Sequence, residues 1–358
     1  MAVHTQTKAW ILQNKPAAAV NFSSSADAMF ALIRKTGKLT LDIPSPIPED
    51  SLLLKPIWIS NDPAQRGWIQ KGIDPKRLYV PPVEVGEVMH ARAVAKVIKV
   101  GGSVDMHKEG DLVLAATGWT EYAVLKKSDC RIFDSLPGYP PSIFLGVLGI
   151  SGLTAYWGLR EILKLQAGET IVISGAAGAV GNVAIQLAKH IFGAKKVIAI
   201  VGSEEKAQYV KSLGANVALN YKNPHFEKEL IEATQDYAET YFDNVGGEIL
   251  DLMFTRLKRH GRIAACGAIS TYNDLTNLKL QHYFELITNR LELKGFVVTD
   301  YLTRPEGSQA LISALKEGKL VIGGETIVEV SGIEEIPKVW YRLFEGRNQG
   351  KLLTKLPE

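Results

Sequence analysis

The sequence predicts an α/β protein in which a β-rich region precedes a doubly wound parallel sheet. Three observations predict it. Short alternating runs broken by Gly and Pro fill the first third of the 358 residues. From Thr170 onward short apolar strands alternate with helices, as a parallel sheet covered on both faces requires. At the start of that rhythm, the strand Thr170 to Ser174 runs through a glycine-rich turn, Gly175 to Gly181, straight into a helix.

Taken in order, Leu39 to Ile43 alternates before Pro44, Pro46 and Pro48 interrupt the chain, and Ser51 to Ile59 is a second apolar run. Ala91 to Val100 has the period of a half-buried strand and stops at Gly101-Gly102. Leu112 to Ala115 and Trp119 to Leu125 continue the pattern, which suits a small barrel or a strongly bent sheet. Ser142 to Arg160 carries small and apolar residues suited to packed helices, with Gly146, Gly149 and Gly152 allowing close approach. Strands then follow at 170–174, 196–201, 217–219, 239–243, 261–266 and 291–298. Helices are expected at 182–192, 204–213, 226–234 and 250–257. A helix at 308–317, a strand at 327–330, a helix at 333–346 and a strand at 350–356 make a tail. Periodicity leaves open whether that tail extends the parallel sheet or returns to the β-rich region.

Composition excludes several classes of function. Hydrophobic residues are 46% and charged residues 22%, and the formal net charge of +3 creates no strong field for nucleic acid or an anionic membrane. The only two cysteines, Cys130 and Cys266, build no disulfide framework and suit a reducing compartment. Met1 to Trp10 lacks the pattern of a secretory signal, and no run approaches the ~20 apolar residues of a membrane span. The expectation is a soluble, cytoplasmic protein.

The turn reads Gly175-Ala-Ala-Gly178-Ala179-Val180-Gly181, an A-x-G-x-x-G string with Ala176 in place of the first glycine. Gly178 lets the backbone approach a pyrophosphate and Gly181 lets the helix lie close on the strand, while the helix N-terminus offers N–H groups and partial positive charge. A dinucleotide is the expected ligand. The next strand ends in Val201-Gly202-Ser203, where an NAD site carries an acid, and this leaves space for a 2′-phosphate that Lys206 can meet. Glu204 and Glu205 are there as first-turn acids favoured by the helix dipole. NADPH is therefore expected over NADH.

No metal is expected. The seven histidines (His4, His90, His107, His190, His225, His260, His282) show neither H-x-x-x-H nor H-E-x-x-H, and two isolated cysteines cannot make a four-cysteine lobe. No G-x-S-x-G elbow points to a hydrolase. Cys266 suits a small buried hydrophobe better than a reactive thiol. Tyr272, in Cys266-Gly-Ala-Ile-Ser-Thr-Tyr272-Asn273, follows a sheet strand at its carboxyl end, where such sheets place ligands, and is the candidate acid; a packed or surface tyrosine is the alternative.

Several segments in order resemble the medium-chain dehydrogenase/reductase superfamily, and within it the zinc-independent prostaglandin reductases, leukotriene B4 12-hydroxydehydrogenases and alkenal double-bond reductases. They are Leu145 to Leu159, Ser174 to Gln186, Asn220-Tyr221-Lys222, Tyr241 to Gly247, Gly261 to Asn273, Gly295 to Val298 and Glu345 to Lys351. The resemblance spans nearly the whole chain. It implies a GroES-like catalytic domain over residues 1–138, a Rossmann NADPH-binding domain over 139–307, and a return of 308–358 to the catalytic domain. It also implies that Lys206 and Tyr221 hold the 2′-phosphate. Gly178, Ala179, Val180, Gly181, Asn244, Asn348, the loop Cys266, Gly267, Ala268, Ile269, Ser270 and Tyr272, and Phe296, Val297 and Val298 line NADPH or NADP+. Edge strands and the apolar surface of the parallel-sheet region, with many relatives being dimers, imply a homodimer.

One string departs from the family. Many relatives read D-P-Y-M-R where this chain has Asp62-Pro-Ala64-Gln-Arg66. That tyrosine helps form the substrate pocket in plant enzymes, so the resemblance by itself does not imply prostaglandin or phenylpropenal specificity. The implied reaction is reduction of the C=C bond of an α,β-unsaturated aldehyde or ketone by hydride transfer to the β-carbon, with Tyr272 donating to the carbonyl oxygen. The alternatives are a quinone reductase, an allylic alcohol dehydrogenase, and a non-catalytic NADPH-binding protein.

Overall fold

The computed structural model describes residues 6–17, 29–33, 41–42, 44, 46–278, 280–322 and 324–357. His4 and residues 39, 40 and 43 of the first expected strand lie outside them. The chain divides into two compact units, Met1–Leu145 with Thr326–Arg347 and Leu352–Glu358, and Gly146–Glu325 with Asn348–Lys351.

In the first unit the long strand Ser51–Ser60 is central. It pairs antiparallel with Ala93–Val100, with Ala123–Lys126 and with the C-terminal strand Leu352–Lys355. Its ladder to Ala93–Val100 slips register around Pro56, which has no N–H to give. Leu112–Ala115 and Arg131–Ile132 extend the sheet on one side, and Thr326–Glu329 extends it on the other. The expected strand from Trp119 begins only at Ala123. Trp119 instead follows Gly118 (φ 71°), bonds the backbone of Met89 and Trp10, and fills the core against Phe30 and Trp340 at 5.1 and 5.8 Å between ring centroids.

The second unit opens with helix α1 (Ile150–Trp157), which widens into a π turn over Gly158–Ile162. Strand β1 (Thr170–Ile173) leads to α2 (Ala179–His190), β2 (Lys196–Val201) to α3 (Glu204–Ser212), and β3 (Val217–Asn220) to α4 (Phe226–Ala233). After β4 (Ala238–Asp243) and α5 (Gly247–Phe254) comes β5 (Leu257–Ala265), then α6 (Tyr283–Thr288), β6 (Glu292–Gly295) and α7 (Glu306–Lys316). Every pairing is parallel, in the order β3-β2-β1-β4-β5-β6, the order of a doubly wound dinucleotide fold. The inner strands are continuous apolar runs because helices cover both faces; Ile171, Val172 and Ile173 are fully buried.

Two differences from the expected elements have local causes. The chain leaves α5 at Phe254 and β5 already starts at Leu257, because the Arg256 carbonyl accepts the Ala238 N–H and draws the segment into the sheet. The second unit runs to Glu325 rather than 307, because α7 packs on α1 through buried Leu311 and Gly307; a Cβ at Gly307 would stand 3.0 Å from Leu153.

Candidate active site

The glycine turn is shaped by what it cannot accommodate. Gly175 takes φ 56°, and a Cβ on Gly181 would stand 2.5 Å from the Gly175 carbonyl oxygen and 2.6 Å from the Ala176 Cα. Only glycine lets α2 start this close to β1. Gly178 is the N-cap, extended at φ −79° and ψ −179°, with no side chain to cap the helix and no acid in the first turn. Gly178, Ala179 and Val180 are half-buried, and the positive end of the α2 dipole lies at this turn. The Asn348–Lys351 segment borders this turn: Gly350 N–H donates to the Ala177 carbonyl at 2.7 Å, and Asn348 Nδ2 donates to the Gly350 carbonyl at 3.2 Å.

A second corner forms where β2 and β3 end. Tyr221 N–H donates to the Val201 carbonyl at 2.9 Å, which lays the Tyr221 ring over Gly202; a Cβ there would meet Tyr221 Cε1 at 3.0 Å. Ser203 caps α3 by accepting the Lys206 N–H at 3.2 Å, which fixes Lys206 in the first turn. Lys222 stacks its ammonium 5.9 Å from the centroid of Tyr221. Burial, then the Lys222 charge, lowers the Lys206 pKa, while Glu205 pulls the other way. Two cations and an aromatic ring thus gather beside a strand end that carries no acid. Lys222 was not among the expected cofactor residues; its signal in the sequence was adjacency to Tyr221.

The end of β4 is organised by a buried carboxylate that sequence reading passed over. Asp243 Oδ1 accepts from Tyr241 Oη (2.7 Å), Ser174 Oγ, and the N–H groups of Val245 and Gly246 (3.0 Å each). Burial raises its pKa, and these donors oppose that rise. Asn244 reaches across to β1, donating Nδ2 to the Ser174 carbonyl at 2.8 Å. Asp243 and Asn244 are thereby locked beside the glycine turn, and Gly175 faces Asn244 Cβ.

From β5 the chain enters the loop Cys266 to Tyr272. Cys266 and Gly267 donate their N–H groups to the Asp243 carbonyl, and Ser270 bonds the Val245 carbonyl through both N–H and Oγ (3.1 and 2.7 Å). Tyr272 curls back so that its hydroxyl oxygen accepts the Ala268 N–H at 3.2 Å. Burial and then Asp243 push the Cys266 thiol up to about 12, so it is a neutral packing group. Phe296, just after β6, sets its ring at right angles to Phe242 (6.2 Å) and close to Gly158, with Val297 extended and Val298 buried behind it.

Each expected residue therefore stands at or just past the carboxyl end of a strand, or on the 348–351 segment that borders the glycine turn. Gly178 to Gly181, Asn244, Cys266 to Tyr272 and Asn348 are linked by the contacts above, and Lys206 and Tyr221 form the separate corner. In the first unit Ala64 starts the short helix Gln65–Trp68, and burial lowers the neighbouring Arg66 to about 10. Among the described residues no group of three or more His, Cys, Asp or Glu could hold a metal ion, and no helix is long and apolar enough to cross a membrane.

Comparison with known proteins places this architecture. Residues 179–317 match the family described as zinc-binding dehydrogenase, and residues 8–132 match the N-terminal domain of oxidoreductase. An uncharacterized membrane protein of Saccharomyces cerevisiae is 36% identical over 98% of both chains. The NADP(+)-dependent 2-alkenal reductase of Nicotiana tabacum is 34% identical over 87% of this chain and 89% of its own. The crystal structure of CurA in complex with NADPH from Vibrio vulnificus superimposes with a TM-score of 0.84 at 31% identity, covering 98% of this chain and 99% of that one. Two domain models in tandem, whole-length relatives and the strand order of the second unit agree: the chain belongs to the medium-chain dehydrogenase/reductase family.

Proposed function

We propose that the protein is an NADPH-dependent ene-reductase that reduces the C=C bond of α,β-unsaturated aldehydes or ketones. The observation that carries this reading is the shared sheet edge, where a dinucleotide turn, a two-lysine corner and an oriented tyrosine all lie at strand carboxyl ends. The tobacco relative is a 2-alkenal reductase by name, and the Vibrio structure holds NADPH, which supports the same cofactor and substrate class here.

The residues fit NADPH on three counts. The uncapped start of α2 suits the pyrophosphate. Gly202 leaves room at the end of β2, where Lys206 and Lys222 would neutralise a 2′-phosphate and Tyr221 would cover the adenosine side. Asn244, the 266–272 loop, Phe296 to Val298 and Asn348 would line the remainder. When bound, NADPH supplies the hydride that the β-carbon of the substrate takes up.

The protein's own task is to meet the negative charge that then develops on the carbonyl oxygen. Tyr272 hydrogen-bonds that oxygen through its O–H, and the enolate then takes a proton from solvent at its α-carbon to give the saturated product. The Ala268 N–H on the tyrosine oxygen draws density from the phenol and makes it a stronger donor. A phenol stays protonated at neutral pH, so no metal is required for this role. The first unit serves as the GroES-like catalytic domain, and the protein as a cytoplasmic homodimer. Exposed Leu278, Tyr283, Phe284 and Ile287, preceding the last strand of the sheet, support a dimer through that face.

The test mixes the protein with NADPH and trans-2-alkenals, enones or quinones, follows loss of nicotinamide absorbance, and identifies the product. Saturated aldehyde or ketone sustains the proposal. Allylic alcohol, or turnover of quinones alone, replaces it with another reductase, and no consumption leaves a nucleotide-binding protein. Tyr272→Phe lowers kcat about 100- to 1000-fold with NADPH affinity unchanged; full turnover of an enone by this variant overturns the donor role.

A further inference from the structure

Asn220 closes β3 and uses both ends of its amide. Its Oδ1 accepts the Lys222 N–H at 3.1 Å, which makes the turn that presents Tyr221 and Lys222. Its Nδ2 donates to Oε1 of Glu204, also at 3.1 Å, sixteen residues away at the start of α3. Glu204 is the third residue past Val201, in the region where a site for NADH carries the acid that binds the ribose hydroxyls. Its carboxylate and that of Glu205 share the first turn of α3 with Lys206. A carboxylate free to move there would repel a 2′-phosphate, compete for Lys206, and accept from a 2′-hydroxyl.

We propose that Asn220 is a positioning residue for cofactor choice: it holds the Glu204 carboxylate against the β3 turn, and so keeps a latent NADH-type acid out of the 2′-phosphate corner. This rests on the NADPH reading above. The corner then owes its selectivity to Lys206 and Lys222, which attract the phosphate, and also to an acid that is restrained. Asn220 touches no reacting atom; it acts only through Glu204.

The experiment is a double-mutant cycle on the full chain, with dissociation constants for NADPH and NADH measured by titration. Asn220→Ser keeps an oxygen able to accept the Lys222 N–H but is too short to reach Glu204. The NADPH-over-NADH preference should fall about 5- to 10-fold in this variant. Removing the acid as well, in Asn220→Ser/Glu204→Ala, should restore it, and Glu204→Ala alone should leave it at the wild-type value or above. An unchanged preference in Asn220→Ser overturns the inference. So does a double variant that stays as poor as Asn220→Ser, since Asn220 would then only shape the turn. Wild-type protein that shows no preference for NADPH overturns the cofactor reading itself, a separate outcome visible before any variant is made.

Discussion

The glycine turn at the end of β1 and the corner at the ends of β2 and β3 are both suited to phosphate, and they are built by opposite means. The turn works by absence: no Cβ at Gly181, no capping side chain at Gly178, no acid in the first turn of α2. Its donors are backbone N–H groups whose direction is set by the helix. The corner works by presence, gathering a ring, two ammonium groups and a capped helix start from two strand–helix junctions. A backbone-built subsite is rigid and indifferent to pH, and cannot distinguish one dinucleotide from another. A side-chain-built subsite can discriminate, and is correspondingly open to change by single substitutions.

The sharpest way to break the comparison is at Gly181. Gly181→Ala drives a methyl group into the Gly175 carbonyl and Ala176, an overpacking that costs about 2 to 3 kcal/mol. NADPH and NADH affinity should both fall about 50- to 100-fold, with a lower Tm. Gly295→Ala is the control, because nothing lies within 4 Å of a Cβ there. Equal loss for the two cofactors is the signature of the backbone subsite; a loss confined to NADPH would refute the division of labour.

The corner predicts that unequal loss. Lys206→Ala should weaken NADPH about 10- to 30-fold and leave NADH unchanged, since the charged hydrogen bond to phosphate proposed for this partly buried lysine would be lost. Lys222 is exposed, so Lys222→Ala should cost NADPH only about 3- to 5-fold. The contrast between the two lysines is itself a measurement: equal effects would mean that burial of Lys206 contributes nothing.

The same contrast explains what could be read from the chain. The glycine turn is one continuous strand–turn–helix string, so Gly175 to Gly181 announces it, and the strand order around it follows from the β–α rhythm. The corner is assembled through space. Gly202 and Lys206 are visible as a missing acid and a nearby cation, but Tyr221 enters only through family resemblance, and its neighbours Asn220 and Lys222 share that segment without any role assigned to them. Asp243 was hidden for another reason: its role is a set of hydrogen bonds to Ser174, Tyr241 and two backbone groups, and nothing in residue spacing reports them. Helix α6 escaped because periodicity detects a buried face, whereas Tyr283, Phe284 and Ile287 are exposed.

The smallest effect tests the comparison without changing the shape of either subsite. Burial and Lys222 lower the Lys206 pKa from 10.5, so the unliganded protein loses this charge at a lower pH than an ordinary lysine would. A bound phosphate favours the charged form, so NADPH affinity should decline by a few fold as pH rises through the lowered value, while NADH affinity stays level. Stability of the unliganded protein has the opposite sign. Between the lowered value and 10.5 the unfolded chain holds more protons at this position than the folded one, so Lys206 makes stability rise with pH there. Lys206→Arg keeps its charge throughout and should flatten both trends. The differences between wild type and this variant, in NADPH titrations and in denaturant unfolding across alkaline pH, isolate one group. If NADH affinity fell in parallel with NADPH, the titrating group would belong to the pyrophosphate turn, and a subsite made of backbone N–H groups has none to offer.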